Sequence, residues 1–440
     1  MEIKVQRLRQ VLDLLAPAVS GRKTSLPITQ GVLFHQGLAI ATNLEVGVSI
    51  EMKEAQGEDI LVPFRELRET LKYLPSYARV VMGVEGDGVQ LVYPGGHVNL
   101  KSPGDAQDFP PFPSFTAQYE AKVDGDILIG ALQEMVPYTA REDSVPVLGG
   151  VCIALGDPLE VAAADGFRLA WRTLDLRLPL LVPESGSPDN QLVMPQRDVK
   201  VLFQLWQRSE KPPDMATQEV MARISSEPSI HVARLATARR LVRLGYNKTN
   251  IRFQWGSVTM VARLVGGTFP QYRQLIPTEA VSKVSFFAED LLVAVRRQAP
   301  VAKEGSGIVR LAWSGNELQV SASADEVGSH QVTVSLHHRE GEDGHIAFNY
   351  NYLIEYLKEK EGPVAMNTRT PTESALFSHR DTPLVLIMPM FVAGDGEPEP
   401  PAPAQDGPES PGEDPAAQAA SEAATPPADE ETTSPPTRKS

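Results

Sequence analysis

Residues 150–168 read GVCIALGDPLEVAAADGFR, and two other stretches are built the same way: GVLFHQGLAIATNLEVG at 31–47 and GIVRLAWSGNELQVSASADEVG at 307–328. Each opens at a glycine (Gly31, Gly150, Gly307) and turns at Gly, Asp-Pro or Gly-Asn. Each then runs through alternating apolar positions into Asn43, Asp165 or Asp325. Apolar alternation broken by turn formers marks paired β-strands.

Outward from these pairs the likeness continues. Before each lies an amphipathic helix with a proline near its end: LDLLAPAV (12–19), QEMVPYTA (133–140) and RRQAPVAK (296–303). Pro17, Pro137 and Pro300 each stand nine residues after a core leucine, Leu8, Leu128 and Leu291. In the first helix Leu8, Val11, Leu12, Leu15 and Val19 share one face. After each pair comes a strand running into a second helix: ILVPFRELRETLKYLP (60–75), LVMPQRDVKVLFQLWQ (192–207) and HIAFNYNYLIEYLKEK (345–360). Pro63 and Pro195 are expected just inside these helices, where the missing N–H costs nothing. Four elements in one order, three times over, point to an internal repeat. The fold class expected is α+β, with three domains of two helices plus sheet.

The three glycines are 119 and then 157 residues apart, so the second repeat carries about 38 extra residues. An insertion is placed near 209–245, from SEKPPDMATQE into ARLATARRLVRLG. The domains expected are 1–118, 119–280 with the insertion, and 281–393, followed by a tail at 394–440.

The 440 residues suffice for about three domains. The net charge of −15 is unevenly spread. The tail holds 11 of the 56 acidic residues, 2 of the 41 basic ones, 11 of the 37 prolines and no aromatic residue. Such a composition buries too little apolar surface to offset chain entropy, so the tail is expected to be disordered. Before residue 394 the balance is 45 acidic to 39 basic, a net of −6, which does not exclude nucleic acid, because local potential matters more than the sum. Cys152 is the only cysteine. No intramolecular disulfide and no cysteine cluster for zinc can form, which suits a reducing cytoplasm. The first twenty residues open on charges with helical periodicity, unlike a signal peptide. No run approaches the ~18 apolar residues of a membrane span.

There is no Walker loop, HExxH, GxSxG or zinc-ligand spacing, and the eight histidines are scattered. No cofactor, metal or catalytic residue is expected. The glycines of MGVEGDGV precede QLVYPGG and not a helix, so they read as a hairpin turn. The basic residues carry more. On the second helix of the first repeat, Arg65, Arg68 and Lys72 run beside the apolar stripe of Phe64, Leu67, Leu71 and Leu74. Arg197, Lys200 and Arg208 fall similarly in the second repeat. Each set is either a solvated face or one side of a DNA-facing layer, where sequence-independent phosphate contact would let a protein slide. Arg22, Lys23 and Arg141 join Arg65, Arg68, Lys72, Arg197 and Lys200 as candidate DNA contacts.

With these motifs in place, the sequence resembles the beta subunit of bacterial DNA polymerase III, the sliding clamp, from residue 1 to about 393. The likeness runs through GRKTSLPITQGVLF and ATNLEVGVSIE, then SVPVLGGV, AADGFRLAWR and FPQYRQLIP, then FNYNYLIEYL and the closing VLIMPM. It implies half of a ring: a head-to-tail homodimer whose helices line a channel around duplex DNA. It also implies a peptide pocket between the second and third domains for the replicative polymerase, the clamp loader and other clamp-binding proteins. Carried over by motif, that pocket is Leu148, Gly166, Phe167, Arg168, Leu169, Pro270, Gln274, Leu275, Asn349, Tyr352, Leu386, Met388, Pro389 and Met390. The family usually has histidine where Phe167 stands and threonine where Ala164 stands, which bears on peptide preference.

The function expected is a processivity clamp, not an enzyme and not membrane-bound. The alternative is a clamp-fold paralogue that does not encircle DNA and acts as a peptide-binding adaptor or regulator. Phe109 and Phe112 in DFPPFPSF are either part of the linker between the first two domains or apolar anchors of the subunit contact.

Overall fold

The computed structural model describes residues 1–21, 23–141, 145–181, 190–209, 240–277, 279–380 and 382–391. Each third of the chain opens with a strand leading straight into a helix. The first contains β1 (Glu2–Lys4), α1 (Val5–Leu15), β2 (Gly31–His35), β3 (Leu38–Thr42), β4 (Val46–Glu51), β5 (Ile60–Pro63), α2 (Phe64–Lys72), β6 (Arg79–Glu85), β7 (Gly88–Tyr93) and β8 (Gly96–Lys101). The second follows the same order: β9 (Tyr119–Asp124), α3 (Gly125–Met135), β10 (Gly150–Ala154), β11 (Leu159–Ala164), β12 (Arg168–Leu174), β13 (Gln191–Pro195), α4 (Gln196–Arg208), β14 (Leu241–Tyr246), β15 (Asn250–Trp255) and β16 (Val258–Arg263). The third adds one strand: β17 (Ser282–Phe287), α5 (Ala288–Glu304), β18 (Ile308–Ser314), β19 (Glu317–Ala324), β20 (Gly328–Ser335), the extra β21 (His338–Gly341), β22 (Gly344–Asn349), α6 (Tyr350–Leu357), β23 (Pro363–Thr368), β24 (Ala375–Ser378) and β25 (Leu384–Ile387).

Local chemistry accounts for these elements. In α1 the buried residues are Val5, Leu8, Val11, Leu12 and Leu15, the i, i+3, i+4 stripe of a one-sided helix. Pro63 and Pro195 close β5 and β13 and stand one residue before α2 and α4, not inside them. Both strands lie at sheet edges, where an absent N–H breaks no ladder. Pro17 and Pro137 sit in 3-10 turns that finish α1 and α3, whereas Pro300 lies within α5. Of the insertion expected near 209–245, Leu241–Tyr246 is instead a strand of the repeat. β14 pairs with β9 and β15 as β6 pairs with β1 and β7. Residues 210–239 and the tail 394–440 lie outside the described residues.

Each repeat makes two antiparallel sheets, and neighbouring repeats fuse theirs. β4 pairs with β16, Val46 opposite Ala262 through Ile50 opposite Val258, which completes an eight-stranded sheet. β12 pairs with β25, Arg168 opposite Ile387 through Trp171 opposite Leu384, within a nine-stranded sheet. The same strands of the repeat meet at both junctions. Two four-stranded sheets remain, β1-β6-β7-β8 and β20-β19-β18-β22, so β8 and β20 are edges. Their burial follows: β4 is buried at five of six positions, whereas β20 (GSHQVTVS) is buried only at Val334. On the helical side α1 packs against α2 and α4, α3 against α4, and α5 against α6.

Candidate functional site

The site lies at the second junction, and a side chain–backbone turn begins it. Asp165 Oδ1 accepts from the backbone N–H of Phe167 (3.0 Å) and of Arg168 (2.7 Å). Gly166 at the apex has φ +91°. A Cβ there would meet nothing within 4 Å, so this glycine answers to backbone conformation and not to crowding. The first repeat makes the same turn: Asn43 Oδ1 accepts from Glu45 and Val46, and Leu44 takes φ +75°. Here the turn throws Phe167 outward, 56% exposed, and sends Arg168 inward.

Arg168 ties three segments together. Its Nε and Nη2 donate to Asp165 Oδ2 (2.9 and 2.8 Å), Nη1 to Glu355 Oε2 on α6 (2.7 Å), and Nη2 to the Pro137 carbonyl (3.0 Å). The guanidinium carbon lies 4.4 Å from the ring centre of Tyr352 and 5.4 Å from that of Tyr138. Burial alone would lower its pKa, but Asp165 and Glu355 outweigh that and hold it above the ordinary arginine value. Most of its donors are thus engaged within the chain, and it braces the site.

The segment entering the third repeat supplies the opposite wall. Phe269 and Tyr272 are buried, and Tyr272 Oη donates to Glu160 Oε2 (2.7 Å). Arg273 Nε reaches the same oxygen at 3.1 Å. With those two anchored, Pro270, Gln274 and Leu275 are left exposed, Leu275 at 62%. Beyond β25, the Met388 N–H donates to the Phe167 carbonyl (2.8 Å) and its side chain stays open.

Between these walls is a cavity of about 710 Å³. Ten of the expected residues line it: Leu148, Gly166, Phe167, Arg168, Leu169, Pro270, Gln274, Leu275, Leu386 and Met388. Asn349 and Tyr352 do not. They line an adjoining cavity of about 770 Å³ with Arg141, Glu355 and Lys358, and Phe167 and Arg168 belong to both. Phe167 stacks on Tyr352 at that shared wall, with ring centres 6.2 Å apart. Asn349 is occupied as the helix cap of α6, its Oδ1 accepting from the Asn351 N–H. Pro389 and Met390 line neither cavity, and the Met390 N–H instead donates to the Ala347 carbonyl (2.8 Å). The sequence reading missed Ile276, Pro277, Glu279, Arg369 and Thr372–Ser374. Arg369 and 372–374 sit in the β23–β24 connection, which no motif flags and which only sheet pairing brings here.

The first junction explains why the cavity belongs to the second. Phe109 packs with Ile28, Leu33, Ile40 and Leu61, and half-buried Phe112 lies against that cluster, as Phe269 and Tyr272 pack at the second junction. By the shared turn, Gly47 corresponds to Leu169. A Cβ on Gly47 would fall 2.5 Å from Pro113 Cδ, so proline fills the space that opens beside Leu169. Phe109 and Phe112 are therefore engaged inside their own repeat.

Of the candidate DNA contacts, Lys23, Arg65, Arg68, Lys72, Arg197 and Lys200 are exposed, and Arg22 lies outside the described residues. Arg68 pairs with Asp13 (3.3 Å) and Arg197 with Glu45 (3.1 Å). Arg141 is 82% exposed and pairs with Glu355 Oε1 (3.3 Å), which puts it beside the groove. Asp198, in the first turn of α4, is buried, and its Oδ2 has no hydrogen-bond partner among the described residues. Burial, then the Glu45 charge, push its pKa up to about 7 against the opposing Arg197. Among the described residues no group of three or more His, Cys, Asp or Glu could hold a metal, and no helix is long and apolar enough to cross a membrane.

Three sheet-sharing repeats with a groove at one junction define the sliding-clamp class of fold, and comparison with known proteins agrees. Residues 273–390 match the family model of the DNA polymerase III beta subunit, C-terminal domain. The beta sliding clamp of Streptomyces coelicolor is 26% identical over 418 residues, covering 90% of this chain and all of the relative. The DNA polymerase III subunit beta of Pseudomonas aeruginosa has the same fold, with a TM-score of 0.73, 24% identity, and 89% of this chain and 100% of that one covered. The clamp of Bartonella birtlesii, solved bound to griselimycin, aligns with a TM-score of 0.73 at 21% identity, over 89% of this chain and 99% of that one. Residues 273–390 thus match the C-terminal domain of the DNA polymerase III beta subunit, and the chain as a whole is similar in sequence and fold to beta sliding clamps.

Proposed function

We propose that two copies of this chain close head to tail into a ring around duplex DNA. As such a processivity factor it would hold the replicative polymerase, the clamp loader and other clamp-binding proteins by peptides seated in the groove beside Phe167. The observation that carries the reading is the pair of unlike free edges. At both internal junctions the strand in the β4 or β12 position pairs with the strand in the β16 or β25 position. In that series the free β20 occupies the first position and the free β8 the second. A partner's β8 laid on β20 would repeat the junction and leave the two-fold-related edges to do the same, so two copies close without remainder. In this arrangement the repeats are three domains, 1–118, 119–280 and 281–393. Lys23, Arg65, Arg68, Lys72, Arg197 and Lys200 would meet phosphates without reading sequence. No step of this role needs a cofactor or a catalytic group, and its compartment is the cytoplasm.

Sedimentation and loading on nicked circular DNA test the reading together. A dimer of twice the 47.9 kDa chain mass is expected, retained on circles and released when they are linearised. A monomer that binds peptides but leaves circular DNA freely would instead make it a non-encircling adaptor. Griselimycin, to which the clamps of Pseudomonas aeruginosa and Bartonella birtlesii were solved bound, is a ligand to test against the groove, and displacement of a labelled peptide by it would support the peptide site.

A further inference from the structure

The groove does not end at the apolar cavity. Pro277, Glu279 and Arg369 also line a third cavity, of about 500 Å³, whose remaining wall includes Lys283, Asn367 and Thr368. The charge balance changes along this path. Glu279 and Arg369 stand at both cavities, Arg168 and Glu373 at the apolar one alone, and Lys283 at the third alone. Lys283 is held only loosely, 3.8 Å from an exposed Glu340, and Arg369 makes no ion pair among the described residues. Glu279 offsets one of the two cations, so this end keeps one net positive charge beside two polar side chains, Asn367 and Thr368.

We propose that the third cavity is an extension of the peptide site that selects partners with an aspartate or glutamate flanking their apolar anchors. This rests on the reading of the groove as a peptide site. Continuity with the apolar cavity fixes where the flanking residue falls, and the two cations fix its sign. An exposed pair of this kind contributes little by itself, about fivefold in affinity at low salt, and serves choice of partner more than strength of binding.

The test uses the full chain and four acetylated, amidated peptides that share a central leucine and phenylalanine. Two carry a pair of glutamates on one flank or the other, and two carry glutamines in the same places. Amidation removes the terminal carboxylate as a rival source of charge. One glutamate peptide should bind about fivefold tighter than its glutamine twin, and the ratio should fall toward one in 0.5 M salt. Lys283→Gln should shrink that ratio and Glu279→Gln should raise it, each read within the same variant. Equal binding of every glutamate–glutamine pair, with the glutamine peptides still bound, would overturn the extension and leave the apolar site standing. Failure of all four peptides to bind would remove the peptide site itself, and the extension with it.

Discussion

Arg168 Nη1 donates to Glu355 Oε2 at 2.7 Å, and this bond joins a strand of the second repeat to a helix of the third. The two residues are 187 apart in sequence. Around the bond, Asp165 and the Pro137 carbonyl take three more guanidinium donors. The groove therefore stands on a charged cluster that is buried on the arginine side, its side chain only 3% exposed.

Removing that arginine takes away the one ion-pair partner of Asp165 among the described residues and leaves Glu355 only the exposed Arg141. Arg168→Ala is expected to cost about 3 kcal/mol of stability, because an unpaired buried charge costs more than the pair contributed. Arg168→Lys should recover only part, since an ammonium cannot repeat the planar fork that meets Asp165. Thermal denaturation of the three proteins checks the order. An unchanged midpoint in the alanine variant would mean the cluster is not structural.

Met388, not Met390, faces the cavity, although both end the same motif. In a titration with a labelled peptide bearing leucine and phenylalanine anchors, Met388→Ala is expected to weaken binding by ~1 kcal/mol, and Met390→Ala to leave it unchanged. The reverse order would relocate the site toward the chain's end. Because Phe167 adds no titrating group where the family usually has histidine, the affinity should vary little between pH 6 and 8.

Asp198 supplies a pH dependence of stability with a definite sign. Its folded pKa, about 7, lies above the ordinary carboxylate value near 4, so between those limits the folded protein holds a proton that the unfolded chain has lost. Stability from this group is thus greatest below about pH 4, declines as pH rises to about 7, and is level above. The slope is at most ~1.4 kcal/mol per pH unit. Asp198→Asn removes that slope, so the wild-type-minus-variant difference should fall across that window, and the variant should be the more stable at pH 8. Parallel urea titrations at pH 5 and 8 measure it, and an identical pH response in both proteins would discard the assignment.

Phe109 offers a contrast with a surface anchor. Only 6% exposed among Ile28, Leu33, Ile40 and Leu61, it should behave as core. Phe109→Ala is expected to cost about 3–4 kcal/mol through lost burial and a cavity. The soluble, folded fraction should keep its oligomeric state by light scattering. Dissociation without loss of thermal stability would return this residue to the subunit contact.

The repeat was legible before any coordinate, because helix and strand periodicity are local. The spacing of Leu8, Val11, Leu12 and Leu15, or the turn chemistry of Asn43 and Asp165, needs only neighbours a few residues away. Most of the groove was also legible, through motifs whose residues the junction gathers. Tertiary structure alone decided the rest. That Arg168 is spent on Glu355, that Arg141 shares that carboxylate, and that Arg369 and Glu279 lie beside Leu275 all follow from β12 pairing with β25. It alone showed that Pro113 closes the first junction while the second stays open, and that β8 and β20 are left as edges. Pairing between strands more than a hundred residues apart is set by how whole sheets bury their faces and edges, and no window along the chain contains that information.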